Sequence, residues 1–422
     1  MICDKICFML DTIQTLKGFR DFIGQQAREK SWLIDKIKST FQLFGFEPLE
    51  TPTLEYDALL SGKYGDEADK LIYKFEDNGG RKVALRYDQT VPTARVVAQY
   101  RNEIIFPYKR YQIQPVWRAE KPQKGRFREF TQCDADIIGS FSPLADAEIL
   151  AIYASVYINL GIKSIQIKLN DRPSLIQMIR DAGIPEETIK TVILTIDKLD
   201  KKSELEVIEE LVEKGLEDSH ARTLLAGFTT AKMPENLQKI VNLAVQLGIP
   251  EKTFVYSPAL ARGLDYYTGM IFEGIIPEYP VGSVGGGGRY DNLIKDLVGV
   301  DMPAVGFGIG FDRTLEASQQ LGLIPLEINK SSVLVTIFSP ELIPTSLSTV
   351  AELHKHAIRT ELFSDFSKKL DQQLKYANAK NIPWVIIIGP DEQSHNKVQL
   401  KNMQTREQSI ISIDEVIQKI QG

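Results

Sequence analysis

Cysteine is scarce: among 422 residues only Cys3, Cys7 and Cys133 occur. Cys3 and Cys7 lie four apart with no second pair to complete a zinc site, and three cysteines build no disulfide framework. That usage fits a reducing compartment, and the expected location is cytoplasmic. Histidine is nearly as rare, and His220, His354, His356 and His395 all lie away from the segments that look chemical. Histidine general-base catalysis and histidine-ligated metal sites are therefore disfavoured in the first two thirds. No stretch approaches the ~18 uninterrupted apolar residues of a membrane span, so no membrane partner is expected. Near the start, the apolar patch from Cys7 to Leu10 is flanked by Asp4 and Asp11 and is too short for a signal-peptide core. Residues 1–15 read as an N-terminal extension. Excess positive charge is also missing: the net charge of −6 argues against a protein that coats nucleic acid without specificity.

What is present is ordinary globular material. Apolar residues make up 43% and charged residues 25%, enough for a sizeable core and for two or three domains. Leu33, Ile37, Phe41 and Phe44 recur at helical spacing, and Gly45 ends that helix. The following FEPLETPTLE carries two prolines and reads as an extended edge segment. Residues 104–118 and 126–139 read as two strands joined by the seven-residue loop AEKPQKG, longer than a tight hairpin turn. Residues 172–250 turn helical and read as an inserted subdomain. Gly-Ile-Pro-Glu occurs there at 183–186 and 248–251 and reads as helix-ending turns. After a polar linker near 325–332, residues 331–422 alternate strand and helix, the pattern of a small α/β domain with a mostly parallel sheet.

The chemistry concentrates in a few segments. Between Lys109 and Arg128 there are seven Lys/Arg and one acid, Glu120. A solvated face explains such a run about as well as a ligand does. On the strand RFREFTQCDADIIG, side chains alternate, so Arg126, Arg128, Gln132, Asp134 and Asp136 share one side. Gln132 and Asp136 stand roughly 13 Å apart along a strand, which leaves room between them for one amino acid. Arg118 and Arg126 bracket the loop, and forked guanidinium groups match phosphate or carboxylate oxygens. The glycine runs 285–288 and 306/308/310 form no P-loop, and Phe311 breaks the dinucleotide fingerprint. They read as places where a ligand or another strand approaches the backbone.

Taken together, five segments resemble the class II aminoacyl-tRNA synthetases, and within them the histidyl-tRNA synthetase family. TPTLEYDALL, with Pro52, looks like the family's dimer-interface motif. YQIQPVWRAEKPQKGRFREFTQCDADIIG looks like its second motif, and AVGFGIGFDR, with Arg313, like its third. ARGLDYYTG at 261–269 and GGGRYD at 286–291 resemble the two segments particular to the histidine enzymes. The likeness runs from Leu16 to the C-terminus.

The resemblance implies an α/β protein with an α+β catalytic core: an antiparallel sheet flanked by helices at 16–325, the helical insertion 172–250, and an anticodon-binding domain at 331–422. It implies a homodimer that uses ATP, accompanied by magnesium, to activate L-histidine and pass it to histidine tRNA. By resemblance Arg118 and Arg262 are the catalytic arginines, gripping the α-phosphate and the substrate carboxylate from two sides. Arg126 and Arg313 hold the far phosphates, and Glu120 contacts the adenine side. Asp88, Thr90 and Gln132 hold the α-amino group. Asp136 and Tyr267 address the imidazole, and Tyr266 lines the pocket. Gln89 falls at a position where the family varies. The alternative is a non-catalytic, histidyl-synthetase-like regulatory subunit of histidine biosynthesis; such chains typically lack the C-terminal domain and carry degraded RGLDYY-type segments, both intact here. A synthetase for another amino acid would lack those segments altogether.

Overall fold

The computed structural model describes residues 13–62, 69–122, 127–261, 266–325, 328 and 331–421. Most of the N-terminal extension, Cys3, Cys7 and four linker positions (326, 327, 329 and 330) fall outside that set. The chain divides into two compact units, Met1–Ile324 and Pro325–Gly422.

The first unit holds strands β1 (Glu47–Pro48), β2 (Leu54–Tyr56), β3 (Lys74–Glu76), β4 (Lys82–Leu85), β5 (Tyr108–Trp117), β6 (Glu129–Ile138), β7 (Gln166–Asp171), β8 (Phe254–Tyr256), β9 (Met270–Ile275), β10 (Gly285–Arg289) and β11 (Ala304–Gly310). Eight of them form one sheet in the order β1-β5-β6-β11-β10-β9-β7-β8. Its pairings are antiparallel except at the two edges, β1 with β5 and β7 with β8. The proline-containing segment is extended as the sequence suggests: β1 adds to the edge of the large sheet, and β2 joins β4 and β3 in a separate three-stranded sheet.

One face of the large sheet is core. Tyr111, Cys133, Ala135, Ile137, Val305, Phe307 and Ile309 pack there with Leu33, Ile37 and Phe41 from the helix Gly24–Leu43. The helix Pro143–Asn159 covers the same face, and its apolar residues from Ile149 to Ile152 are fully buried. Strand alternation sends the intervening residues to the opposite face, where the polar ones gather.

The helical stretch begins at Arg172, as its composition suggests. It has two allegiances. Leu175, Ile179, Val192, Ile193, Val207, Leu211 and Leu224 make a small core of their own. The helix Glu235–Gln246 instead puts Leu237, Ile240, Val241 and Ala244 into the main core. An apolar stripe states that a helix has a buried face but not which neighbour buries it.

The second unit contains β12 (Val333–Val335), β13 (Thr360–Leu362), β14 (Trp384–Ile387), β15 (Val398–Asn402) and β16 (Gln408–Ile411), in the order β13-β12-β14-β15-β16. β12 runs parallel to β13 and β14, whereas β15 pairs antiparallel with both neighbours. The sheet is thus mixed where the sequence pattern suggested mostly parallel. A parallel crossover needs a dozen or more residues, and the connection from Ile387 to Val398 is shorter.

Candidate active site

The register of three adjacent strands builds the site. Arg110, Gln112 and Gln114 on β5 stand directly opposite Asp136, Asp134 and Gln132 on β6. Across the other side of β6, the same three residues face Gly306, Gly308 and Gly310 on β11. Gly306 and Gly308 are in turn opposite Gly288 and Gly286 on β10. Directly opposed residues share a face, so two rows of polar side chains stand beside a floor with no side chains. The floor is bare for a steric reason. A Cβ on Gly308 would lie 2.9 Å from Asp134 Oδ1, and one on Gly306 would collide with the Asp136 carboxyl.

The acids on this face are almost sealed from water: Asp134 and Asp136 are each 5% exposed and Arg110 is 1% exposed. Asp136 forms an ion pair with Arg110 and accepts a hydrogen bond from the Tyr290 hydroxyl. Burial pushes the Asp136 carboxyl up, and Arg110 and the Tyr290 hydroxyl pull it back. Asp134 is pushed up to about 8, chiefly by burial; Arg110 opposes this, and Asp136 and Asp88 add to it. Tyr290 shifts upward by burial and by the nearby Asp136 charge. Tyr266 and Tyr267 close this end, with ring centroids 4.7 Å apart and Tyr266 edge-on to Tyr290 at 6.0 Å. Tyr267 is 8% exposed, and its ring lies 2.8 Å from where a Gly288 Cβ would be.

At the other end, Gln132 Nε2 donates to Asp134 Oδ2 at 2.6 Å. Gln89 Nε2 donates to the carbonyls of Gln114 and Gln132, both at 3.1 Å, stitching β5 to β6 from above. Asp88 Oδ1 accepts from the backbone of Thr90 and Val91, which caps the helix Thr90–Gln99 and fixes Asp88 and Thr90 beside the Gln132 end. Arg118, just beyond β5, lies over the rings of Tyr87 and Phe130, at 4.5 and 5.1 Å, and its Nε donates to the Tyr87 carbonyl at 3.3 Å. Stacking of this kind holds a guanidinium plane while leaving its edge for an anion.

Glu120 follows Arg118 in the same connection, and its backbone carbonyl accepts from Arg128 Nε at 3.1 Å. Arg313 lies one turn past the glycine floor, exposed, with Nη1 donating to the Ser283 carbonyl at 2.6 Å. Among the described residues no group of three or more His, Cys, Asp or Glu is arranged to hold a metal ion, and no helix is long and apolar enough to cross a membrane. Arg262 and Arg126 lie outside the described residues.

A histidyl-tRNA synthetase family model matches residues 18–313, and an anticodon-binding-domain model matches residues 321–422. The chain belongs to the histidyl-tRNA synthetase family. It is 39% identical to the histidine–tRNA ligase of Cytophaga hutchinsonii, over 96% of this chain and 98% of that one. It is 40% identical to that of Wolinella succinogenes, over 98% and 99%. The crystal structure of the histidyl-tRNA synthetase from Nostoc sp. PCC 7120 superimposes with a TM-score of 0.86 at 29% identity, covering 97% of this chain and 99% of that one. An ATP phosphoribosyltransferase regulatory subunit/histidyl-tRNA synthetase from Bacillus halodurans shares the fold, with a TM-score of 0.73 at 21% identity, covering 87% and 96%.

Every candidate residue lies inside the span of the histidyl-tRNA synthetase match. Asp88, Thr90, Gln132, Asp136, Tyr266, Tyr267 and Arg118 surround one polar face, while Arg313 stands at its glycine-rich margin. Two residues that sequence reasoning passed over are Arg110, one position before the second motif, and Tyr290, inside GGGRYD; both contact Asp136. The strand register places Arg110, and GGGRYD contains Tyr290; neither contact follows from spacing. GGGRYD also contributes Arg289, which points elsewhere, onto Asp146.

Proposed function

We propose that this chain is a histidine–tRNA ligase. In the first step a histidine carboxylate oxygen attacks the α-phosphorus of ATP, and pyrophosphate leaves. In the second, the 3′-terminal ribose hydroxyl of histidine tRNA attacks the carbonyl of the adenylate, and AMP leaves. The first nucleophile is already an anion, so that step needs positioning and neutralised charge, not a general base.

The observation that carries the reading is the pairing of polar rows with a bare floor. The rows offer acceptors for a donor-rich ligand, and the floor lets it lie against the backbone. Asp88, Thr90 and Gln132 take the α-amino group. Asp136 and Tyr267 take the imidazole nitrogens, with Tyr266 alongside. A pocket of buried polar groups rejects analogues that leave them unpaired, by factors on the order of 10⁴–10⁵. Arg118, held by its two rings, grips the α-phosphate and the substrate carboxylate, and Arg262 faces it. Arg126 and Arg313 hold the far phosphates, and Glu120 meets the adenine side. Magnesium arrives on the ATP phosphates. Residues 16–325 form the catalytic domain and 331–422 read the anticodon, in a cytoplasmic homodimer.

The test is ATP–pyrophosphate exchange with each of the twenty amino acids singly. Exchange with histidine alone is expected. Folded protein that exchanges with none of them would move the chain to the regulatory-subunit reading.

A further inference from the structure

Asp134 has no part in the mechanism above, yet it occupies the middle of the central row. Gln132 donates to its Oδ2 at 2.6 Å, while its Oδ1 is buried without a hydrogen-bond partner. Gln132 Oε1 and Gln89 Oε1 are buried and unpaired in the same way. At this end of the face, then, the orphaned side-chain atoms are all acceptors. Buried acceptors without donors cost stability unless a ligand satisfies them. The missing partner must bring several N–H donors, and positive charge suits two neighbouring carboxyl groups.

Position narrows it further. Asp134 feels the charge of Asp88 as well as that of Asp136, so both acids are close to it. Gln132 touches it directly. Gly308, opposite on β11, keeps the strand bare where a Cβ would press on Oδ1 at 2.9 Å. An ammonium group offers three donors and one positive charge. We propose that Asp134 is a further binding residue for the α-ammonium of histidine, with Oδ1 accepting one of its N–H groups beside Asp88 and Gln132. This rests on the ligase reading and adds to it a second carboxyl group at the amino end.

The groups facing Asp134 are Arg110 on β5, Asp136 on its own strand, Asp88 from the segment before the helix Thr90–Gln99, and the neutral Gln132. With burial dominant, the carboxyl is pushed up to about 8, so near pH 7 it carries a proton. A cation placed beside it favours the carboxylate, and histidine binding therefore releases a proton from Asp134.

The test uses the full-length protein and two ligands in titration calorimetry: histidine, and imidazolepropionate, which keeps the ring and the carboxylate but has no amino group. Asp134→Asn is expected to weaken histidine at least tenfold and imidazolepropionate less than threefold. Gly308→Ala, which crowds Oδ1 and leaves the acid in place, is expected to do the same. Repeating the titration at pH 7 in two buffers of different ionisation enthalpy should show a released proton that disappears in Asp134→Asn. Equal weakening of both ligands, or unchanged histidine affinity in both variants, overturns the proposal while leaving the ligase reading intact. Wild-type protein that binds no histidine and supports no exchange overturns the ligase reading, and this one with it.

Discussion

Two buried arginine–aspartate pairs lie within a few strands of each other, and they are built on opposite principles. Arg289, at the end of β10, gives Nε and Nη2 to Asp146 at 2.6 to 3.2 Å and Nη1 to the Ser140 carbonyl and Asp291 at 2.9 and 3.0 Å. No nitrogen of Arg289 is left over. Arg110 and Asp136 form the other pair. There Arg110 Nη2 is taken by Asp136 Oδ2, but Arg110 Nε is buried without a hydrogen bond, as is Asp134 Oδ1 beside the pair. A buried pair with every donor and acceptor used has nothing to offer a ligand. It fastens the first turn of the helix Pro143–Asn159 to β10. A buried pair with spare atoms is costly on its own, and that cost makes sense where a ligand completes the set. The same sequence element, GGGRYD, serves both: Arg289 goes to the brace and Tyr290 to the pocket.

The largest expected effect is on the brace. Asp146→Ala leaves Arg289 buried without its main partner, and breaking such a pair costs about 3–5 kcal/mol. Urea unfolding should show that loss, while histidine affinity of the remaining folded protein stays within about threefold of wild type. If affinity collapsed with stability, the division between brace and pocket would be false.

Asp136→Asn should reverse the pattern. Losing a charged hydrogen bond to the imidazole costs about 1.5–3 kcal/mol, or roughly 10–150-fold in kcat/KM for histidine. Stability should change by less than half as much as in Asp146→Ala, because an asparagine side chain still offers Arg110 an acceptor oxygen, whereas alanine leaves Arg289 without its main partner. Exchange assays against competing amino acids read the first quantity and urea unfolding the second. Unchanged discrimination would remove Asp136 from the imidazole site.

The pocket was legible in part, and the brace was not. Period-two alternation places Gln132, Asp134 and Asp136 on one face, and the register confirms that they line a single row. The glycines were readable as sites of close approach. Arg110 escaped because its partner lies 26 positions away across a loop longer than a tight turn, so spacing could not set the register; only the pairing Arg110↔Asp136 does. Arg289 and Asp146 are separated by 143 positions, and no local pattern reports a contact of that range. Gln89 shows a different failure. It proves fully buried and bridges two strands. A sequence shows a glutamine's chemistry but not its burial. The helix Glu235–Gln246 belongs to the main core for the same reason: its stripe was visible, its neighbour was not.

The smallest change offers the finest cut between the two pairs. Tyr290→Phe removes one hydroxyl from Asp136 and leaves Arg110 in place. A single hydrogen bond of this kind is worth about 0.5–1.5 kcal/mol, so stability should fall by no more than that, and KM for histidine should rise roughly 3–10-fold. The pH profile is the more telling readout. Burial raises the Asp136 carboxyl, and Arg110 and the Tyr290 hydroxyl each lower it. Without the hydroxyl the carboxyl moves further up. Binding needs the carboxylate, so kcat/KM falls as pH drops through that pKa, and the acid limb must shift to higher pH in Tyr290→Phe. The ring of free histidine titrates identically in both assays and cannot produce a difference between them. An acid limb that stayed in place would mean that the Tyr290 hydroxyl does not tune Asp136. The pocket pair would then be a second brace, and the contrast with Arg289 and Asp146 would collapse.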